Sequence, residues 1–229
     1  MTAAAALAAA LVPTAVAQNA HRRHENTVNR QYRLARAIKE TYTHKWEVAG
    51  GGGFLRFEPG QYLRRDNQID WATSAAYYFT PEYGLVADVR GHYGDVHLNN
   101  PTCTGVSPFV VCTPSIGAVK PLVTEYTFMA GPQWRFYRKE KFAISAHVLG
   151  GMGMGNFDGG SKGVPAPELG MWPDNNHALA GSVGVNFDYN FYPNFAFRWE
   201  PTYVYTRFGG ANQNNKGMNF ELVYRFGRQ

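Results

Sequence analysis

Between Lys45 and Phe226 apolar and polar residues alternate in eight separate runs. A period of two is the mark of a strand whose two faces meet different surroundings. The closing run is the clearest: Phe220, Leu222, Tyr224 and Phe226 share one face, and Asn219, Glu221, Val223 and Arg225 share the other. Across the runs the apolar faces are heavily aromatic, while several polar faces carry acids and arginines together. A soluble sandwich would turn those charged rows to water. A membrane barrel turns them into its lumen and sets the aromatics against lipid, in girdles at the two interfaces. The expected fold is therefore all-β: an eight-stranded antiparallel up-and-down transmembrane β-barrel, preceded by a short periplasmic arm.

The connections give an independent test, because such barrels have tight turns on one side of the membrane and long loops on the other. Thr80 to Tyr83, Arg138 to Lys141 and Tyr192 to Asn194 are short and follow runs two, four and six. Glu58 to Asn67, His97 to Thr124, Phe157 to Asn176 and Phe208 to Lys216 are long and follow the odd runs. This order places both chain ends in the periplasm. Run one, Trp46 to Phe57, dissolves into Gly50 to Gly53, so its facing is the least regular.

Ala3 to Val16 is apolar and ends in Ala15-Val16-Ala17, the form of a secretory signal with its A-x-A cleavage site, although no basic residue precedes it. Residues 1–17 are expected to be that signal, 18–44 a basic arm that is partly helical or disordered, and 45–227 the barrel. The segment His21 to Lys45 holds seven basic residues against Glu25 and Glu40, which accounts for the whole net charge of +5. The barrel is thereby neutral. Such an arm is either a solvated linker or a strip that meets anionic head groups or acidic cell-wall polymer. Export removes nucleic acid from the candidate partners. The chain's two cysteines, Cys103 and Cys112, sit close together in the long loop after run three, where an exported context makes a disulfide the default. A metal there would need more ligands than His97 supplies, and nothing in the sequence calls for a cofactor.

A barrel of eight strands is just wide enough to be filled by its own side chains. Strand direction places Glu47, Arg135, Asp188, Arg198 and Arg225 in the periplasmic half, with Asp88, Arg90, Glu200 and Glu221 nearer the middle, a charge network that would plug the lumen. In the outer half the inward positions are small, among them Gly51, Gly53, Ser74, Gly151, Gly153 and Ser182. They are expected to leave a vestibule open to the outside. Catalysis finds little support: the lipid-facing rows hold no nucleophile or base, and lumenal His92 and His147 read as polar core. Asp95-Val96-His97 does set a carboxylate and an imidazole on one face at the rim, the residue types of an omptin-like protease, but on eight strands rather than ten.

The signal-like start, the eight alternating runs, the long-short loop order and the aromatic closing run Phe220 to Phe226 together resemble the OmpA-like and OmpX-like small outer-membrane barrels over residues 45–227. The resemblance implies a monomer in the outer membrane of a Gram-negative-type bacterium, surrounded by lipid and lipopolysaccharide. It also implies insertion by the outer-membrane assembly machinery, which would read the terminal aromatics Tyr224 and Phe226; here three residues follow Phe226. The peptidoglycan-binding domain of full-length OmpA has no counterpart in the sequence. The expected role is non-enzymatic, structural or in surface recognition through the external loops, with a narrow solute channel and a rim protease as the alternatives.

Overall fold

The computed structural model describes residues 27–61, 63–98 and 120–228. Eight strands form one closed sheet in sequence order: β1 (His44–Phe57), β2 (Asp66–Tyr78), β3 (Tyr83–Asp95), β4 (Leu122–Arg138), β5 (Phe142–Gly159), β6 (Asn175–Tyr192), β7 (Phe195–Thr206) and β8 (Gln213–Arg228). Every pairing is antiparallel, and β8 closes on β1 in a ladder from His44 opposite Arg228 to Arg56 opposite Lys216. The architecture is the all-β barrel expected from the alternation. The signal assigned to residues 1–17, and Cys103 and Cys112 in the β3–β4 connection, lie outside the described residues.

Alternation sets the facing. In β2, Gln68, Asp70, Ala72, Ala76 and Tyr78 are buried while Ile69, Trp71 and Phe79 just beyond the strand are exposed; in β8, Asn219, Glu221, Val223 and Arg225 are buried while Phe220, Leu222, Tyr224 and Phe226 are exposed. In the glycine-rich β1, Glu47, Ala49, Leu55 and Phe57 are inside and Trp46, Val48 and Phe54 outside, while the alternation lapses over Gly50 to Gly53, where Gly51 and Gly52 are both exposed. The outer surface is thus apolar and the interior charged, the reverse of a water-soluble domain.

The three tight turns and the four long connections fall where the sequence puts them, but the strands run further into the long connections than alternation indicates. β4, β5 and β6 have 17, 18 and 18 residues, whereas about 9–11 tilted residues cross a bilayer. The extra residues lie toward the long connections, where the alternation of the sequence fades.

A helix, α1 (Thr27–Tyr42), precedes the barrel. The chain divides into an N-terminal unit, residues 1–37, and the barrel unit, residues 38–229, so the last turn of α1 belongs to the barrel. That turn carries Lys39, which complements the helix dipole. The Thr43 hydroxyl donates to the Glu40 carbonyl at 3.3 Å, and His44 Nδ1 lies 3.1 Å from the Thr41 carbonyl oxygen, so both side chains serve carbonyls left over at the helix end.

Candidate functional site

The lumen at the tight-turn end is built around one acid. Glu47, on β1, is fully buried and accepts from three guanidiniums: Arg135 of β4 (2.7 Å), Arg225 of β8 (2.8 Å) and Arg198 of β7. Asp188, on β6, shares two of these partners, Arg198 (2.7 Å) and Arg225 (2.7 Å), and Glu221 stands 3.9 Å from Arg198. Residues from five strands therefore meet on the barrel axis. The hydrogen-bond forks matter as much as the charge, since a guanidinium can hold two or more carboxylate oxygens at once.

Tyr42, from the last turn of α1, seals this end, and nothing in the alternation marks it. Its side chain is 2% exposed. The hydroxyl donates to the Lys139 carbonyl at 2.8 Å and accepts from Asn190 Nδ2 at 2.9 Å. Its ring lies beneath two of the arginines, 5.2 Å from the Arg135 guanidinium carbon and 5.8 Å from that of Arg225. Burial raises the phenol above its ordinary range, so it stays neutral and able to donate. Arg135 is held from the other side by the Tyr78 ring at 4.0 Å.

A second cluster occupies the middle. Arg90 donates to Asp88 (2.7 Å), to Glu200 across the lumen (2.7 Å) and to the Thr202 hydroxyl (3.3 Å), which is also 2.9 Å from that of Ser182. The Asn219 amide fits with its nitrogen 2.9 Å from both Asp70 oxygens and its oxygen 3.3 Å from Arg90. His92 lies 3.6 Å from Asp70 and His147 3.7 Å from Glu200. All nine charged residues singled out from the sequence are brought together in these two clusters.

Unmet hydrogen-bonding groups occur within the clusters, at both Glu221 oxygens, Arg135 Nε and Asn186 Oδ1, and continue toward the long connections. Gln68, His92, Glu125 and Thr127 are each at most 2% exposed, yet their side-chain nitrogens and oxygens have no hydrogen-bond partner. They sit on neighbouring strands, with Asp70 opposite His92 and His92 opposite Glu125. Glu125 was missed because it stands just before the alternating part of β4.

The open vestibule expected over this region is corrected by the packing. Phe57, Val96, Val123, Phe157, Val164, Leu169, Met171 and Phe208 form a buried apolar cluster, with Leu63, Leu98 and Trp172 packed against it. The β5–β6 connection folds inward, with a 3-10 turn at Ala166–Leu169. It is tied to the β1–β2 connection by Trp172, whose backbone N–H donates to the Pro59 carbonyl (3.0 Å) and whose indole N–H donates to that of Glu58 (2.7 Å). Of the glycines expected to line the vestibule, Gly153 is buried, with a Cβ position 3.3 Å from the Phe208 ring, whereas at Gly51, which is exposed, and at Gly53 and Gly151 a Cβ would meet a carbonyl oxygen of the next strand at 1.9–2.0 Å, so the close approach of the backbone sets glycine there. Ser182 is buried in the middle cluster, and Ser74 lies in the ladder between Ala49 and Asp88. Loops without periodicity gave no sign of this inward folding.

The rim pair Asp95 and His97 does not form a dyad. His97 turns to Asp66, which accepts from its backbone N–H (2.7 Å) and lies 3.1 Å from its Nδ1. Among the described residues no group of three or more His, Cys, Asp or Glu is placed to hold a metal. Tyr224 and Phe226 face outward with ring centroids 5.9 Å apart.

No protein-family model matches the chain, and no curated protein matches it in sequence. Solved structures do match in shape. Neisserial surface protein A superposes with a TM-score of 0.55 at 11% identity, over 80% of this chain and 97% of its own. The fold is that of the small outer-membrane β-barrels. Further structures of that fold include the attachment invasion locus protein Ail of Yersinia pestis (TM-score 0.49, 15% identity, 80% of this chain and 99% of that one) and OprG of Pseudomonas aeruginosa (TM-score 0.45, 14% identity, 81% and 98%).

Proposed function

We propose that this chain is a non-enzymatic outer-membrane barrel whose lumen is closed to solutes and whose long loops carry surface recognition. The observation behind this reading is the inversion of the molecule. Trp46, Phe79, Tyr83, Trp134, Phe142 and Leu222 are each more than 40% exposed on a closed barrel, an apolar surface far beyond what a soluble monomer shows, while the arginines and acids lie inside. The tight turns, the start of β1 and the end of β8 lie at one end and fit the periplasmic side, and the long loops fit the outside. On this reading Tyr224 and Phe226 serve assembly, the protein is a monomer amid lipid and lipopolysaccharide, and the basic residues of α1 meet anionic head groups or cell-wall polymer.

Purified protein folded in detergent should give a β-dominated circular dichroism spectrum and change its gel mobility on heating; a mainly helical spectrum would sink the proposal. In planar bilayers the unmodified protein should conduct poorly. Arg198→Ala, which removes a partner from both Glu47 and Asp188, should cost about 3–5 kcal/mol of stability or open a measurable conductance. A large steady conductance from the unmodified protein would instead support a narrow channel.

A further inference from the structure

A cavity of about 520 Å³ opens at the long-loop end, between the tops of β1 and β2 and the start of the β3–β4 connection. Its lining carries the guanidiniums of Arg56, Arg64 and Arg65 and a single carboxylate, Asp66. That carboxylate is already engaged through both oxygens by His97, at 2.7 and 3.1 Å. Arg65 is also committed, donating to Glu58 and to the Asn214 carbonyl, each at 2.6 Å. Arg56 and Arg64 are exposed, and neither has a hydrogen-bond or ion-pair partner among the described residues.

The ladder sharpens the case. Arg56 stands directly opposite Lys216 on β8, and both point outward. Like charges in register repel and destabilise a sheet unless something neutralises them. One outward position lower on the same face, Phe54 pairs with Met218 on one side and Ile69 on the other, Phe54 and Ile69 being 44% and 76% exposed. The apolar belt therefore ends there. The basic group begins two residues further up, about 7 Å along the strand, at the level where a bilayer's hydrocarbon gives way to its head groups.

We infer that this cavity binds a phosphate group of the surrounding lipid. Arg56 and Arg64 hold its oxygens in their planar forks, Lys216 adds charge from the next strand, and Arg65, fixed by Glu58 and Asn214, keeps the β1–β2 connection in place behind them. The inference rests on the membrane reading above, since only there does the site meet lipid head groups. A soluble phosphate compound offers the same chemistry, but the position at the edge of the apolar belt favours a lipid.

The full chain, folded in a phosphate-free maltoside detergent, should be titrated with diphosphorylated lipid A, with the same lipid after removal of its phosphates, and with inorganic pyrophosphate. Bound lipid is read by native mass spectrometry. The Arg56→Gln/Arg64→Gln double variant is expected to weaken binding of the phosphorylated lipid by about tenfold or more, and raising salt should weaken the unmodified protein's binding in the same direction. Arg138→Gln, at the opposite end, should change nothing. Equal binding of the dephosphorylated lipid, or a double variant that binds as the unmodified protein does, would overturn the site. Pyrophosphate binding as tightly as lipid A, with the same loss in the double variant, would overturn the lipid assignment in favour of a soluble polyanion. Heat-shifted gel mobility is read on every sample: a chain that forms no barrel overturns the membrane reading, whereas a folded barrel with unaltered binding overturns the site alone.

Discussion

Glu47 and Glu125 are equally buried, yet one accepts from three arginines and the other from nothing. Among the described residues the lumen's buried charged groups are seven carboxylates (Glu47, Asp70, Asp88, Glu125, Asp188, Glu200 and Glu221) and four guanidiniums (Arg90, Arg135, Arg198 and Arg225), with His92 and His147 beside two of the acids. Glu125 is left over. Removing a paired ion strands its partners, whereas replacing an unpartnered one with an apolar group removes only a penalty. Glu125→Leu is therefore expected to raise stability by about 1–3 kcal/mol, and Glu47→Ala to lower it by about 3–5 kcal/mol, both measured as urea unfolding in detergent. A loss at Glu125 as large as that at Glu47 would show that Glu125 has a partner. The paired charges were legible in the sequence because each interrupts an otherwise regular strand on its polar face. Glu125 was not, because alternation begins only at the following Tyr126, and Tyr42 was not, because it belongs to a basic helix rather than a strand.

Among the elements, the membrane-crossing parts of the strands were readable and their upper ends were not. Gln213 and Asn215 are buried on β8 while Asn212 and Asn214 flank them on the other face, so both faces are polar and no hydrophobic period survives. The inward turn of Phe157 and Phe208 was hidden for a related reason: an apolar residue in an irregular loop carries no facing. The glycines were read as space, but at several of them the neighbouring backbone itself comes too close for a side chain. Two adjacent positions on β5 separate these meanings. A Cβ on Gly151 would lie 1.9 Å from the Phe128 carbonyl oxygen, while one on Gly150 would meet nothing within 4 Å. Gly151→Ala should reduce the folded, heat-shifted fraction and cost about 1–3 kcal/mol; Gly150→Ala should leave both unchanged. Equal behaviour of the two variants would mean that the ladder at Gly151 can shift to admit a methyl group.

The barrel has a direction, with ion pairs and Tyr42 closing one end and an apolar cap closing the other. The proposed topology can be checked at the β3–β4 connection, where Cys103 and Cys112 are expected to be bridged and outside. Intact cells should take up no impermeant thiol reagent before reduction and should label at both cysteines after it. Labelling before reduction would refute the bridge, and a need to breach the outer membrane after reduction would invert the topology. Tyr42 also ties the chain just ahead of β1 to the β4–β5 turn at Lys139 and to Asn190 on β6, away from the seam where β1 meets β8. A tug on the N-terminal arm is therefore borne first by this cross-tie and shared with the far wall, so the β1–β8 seam is shielded from peeling.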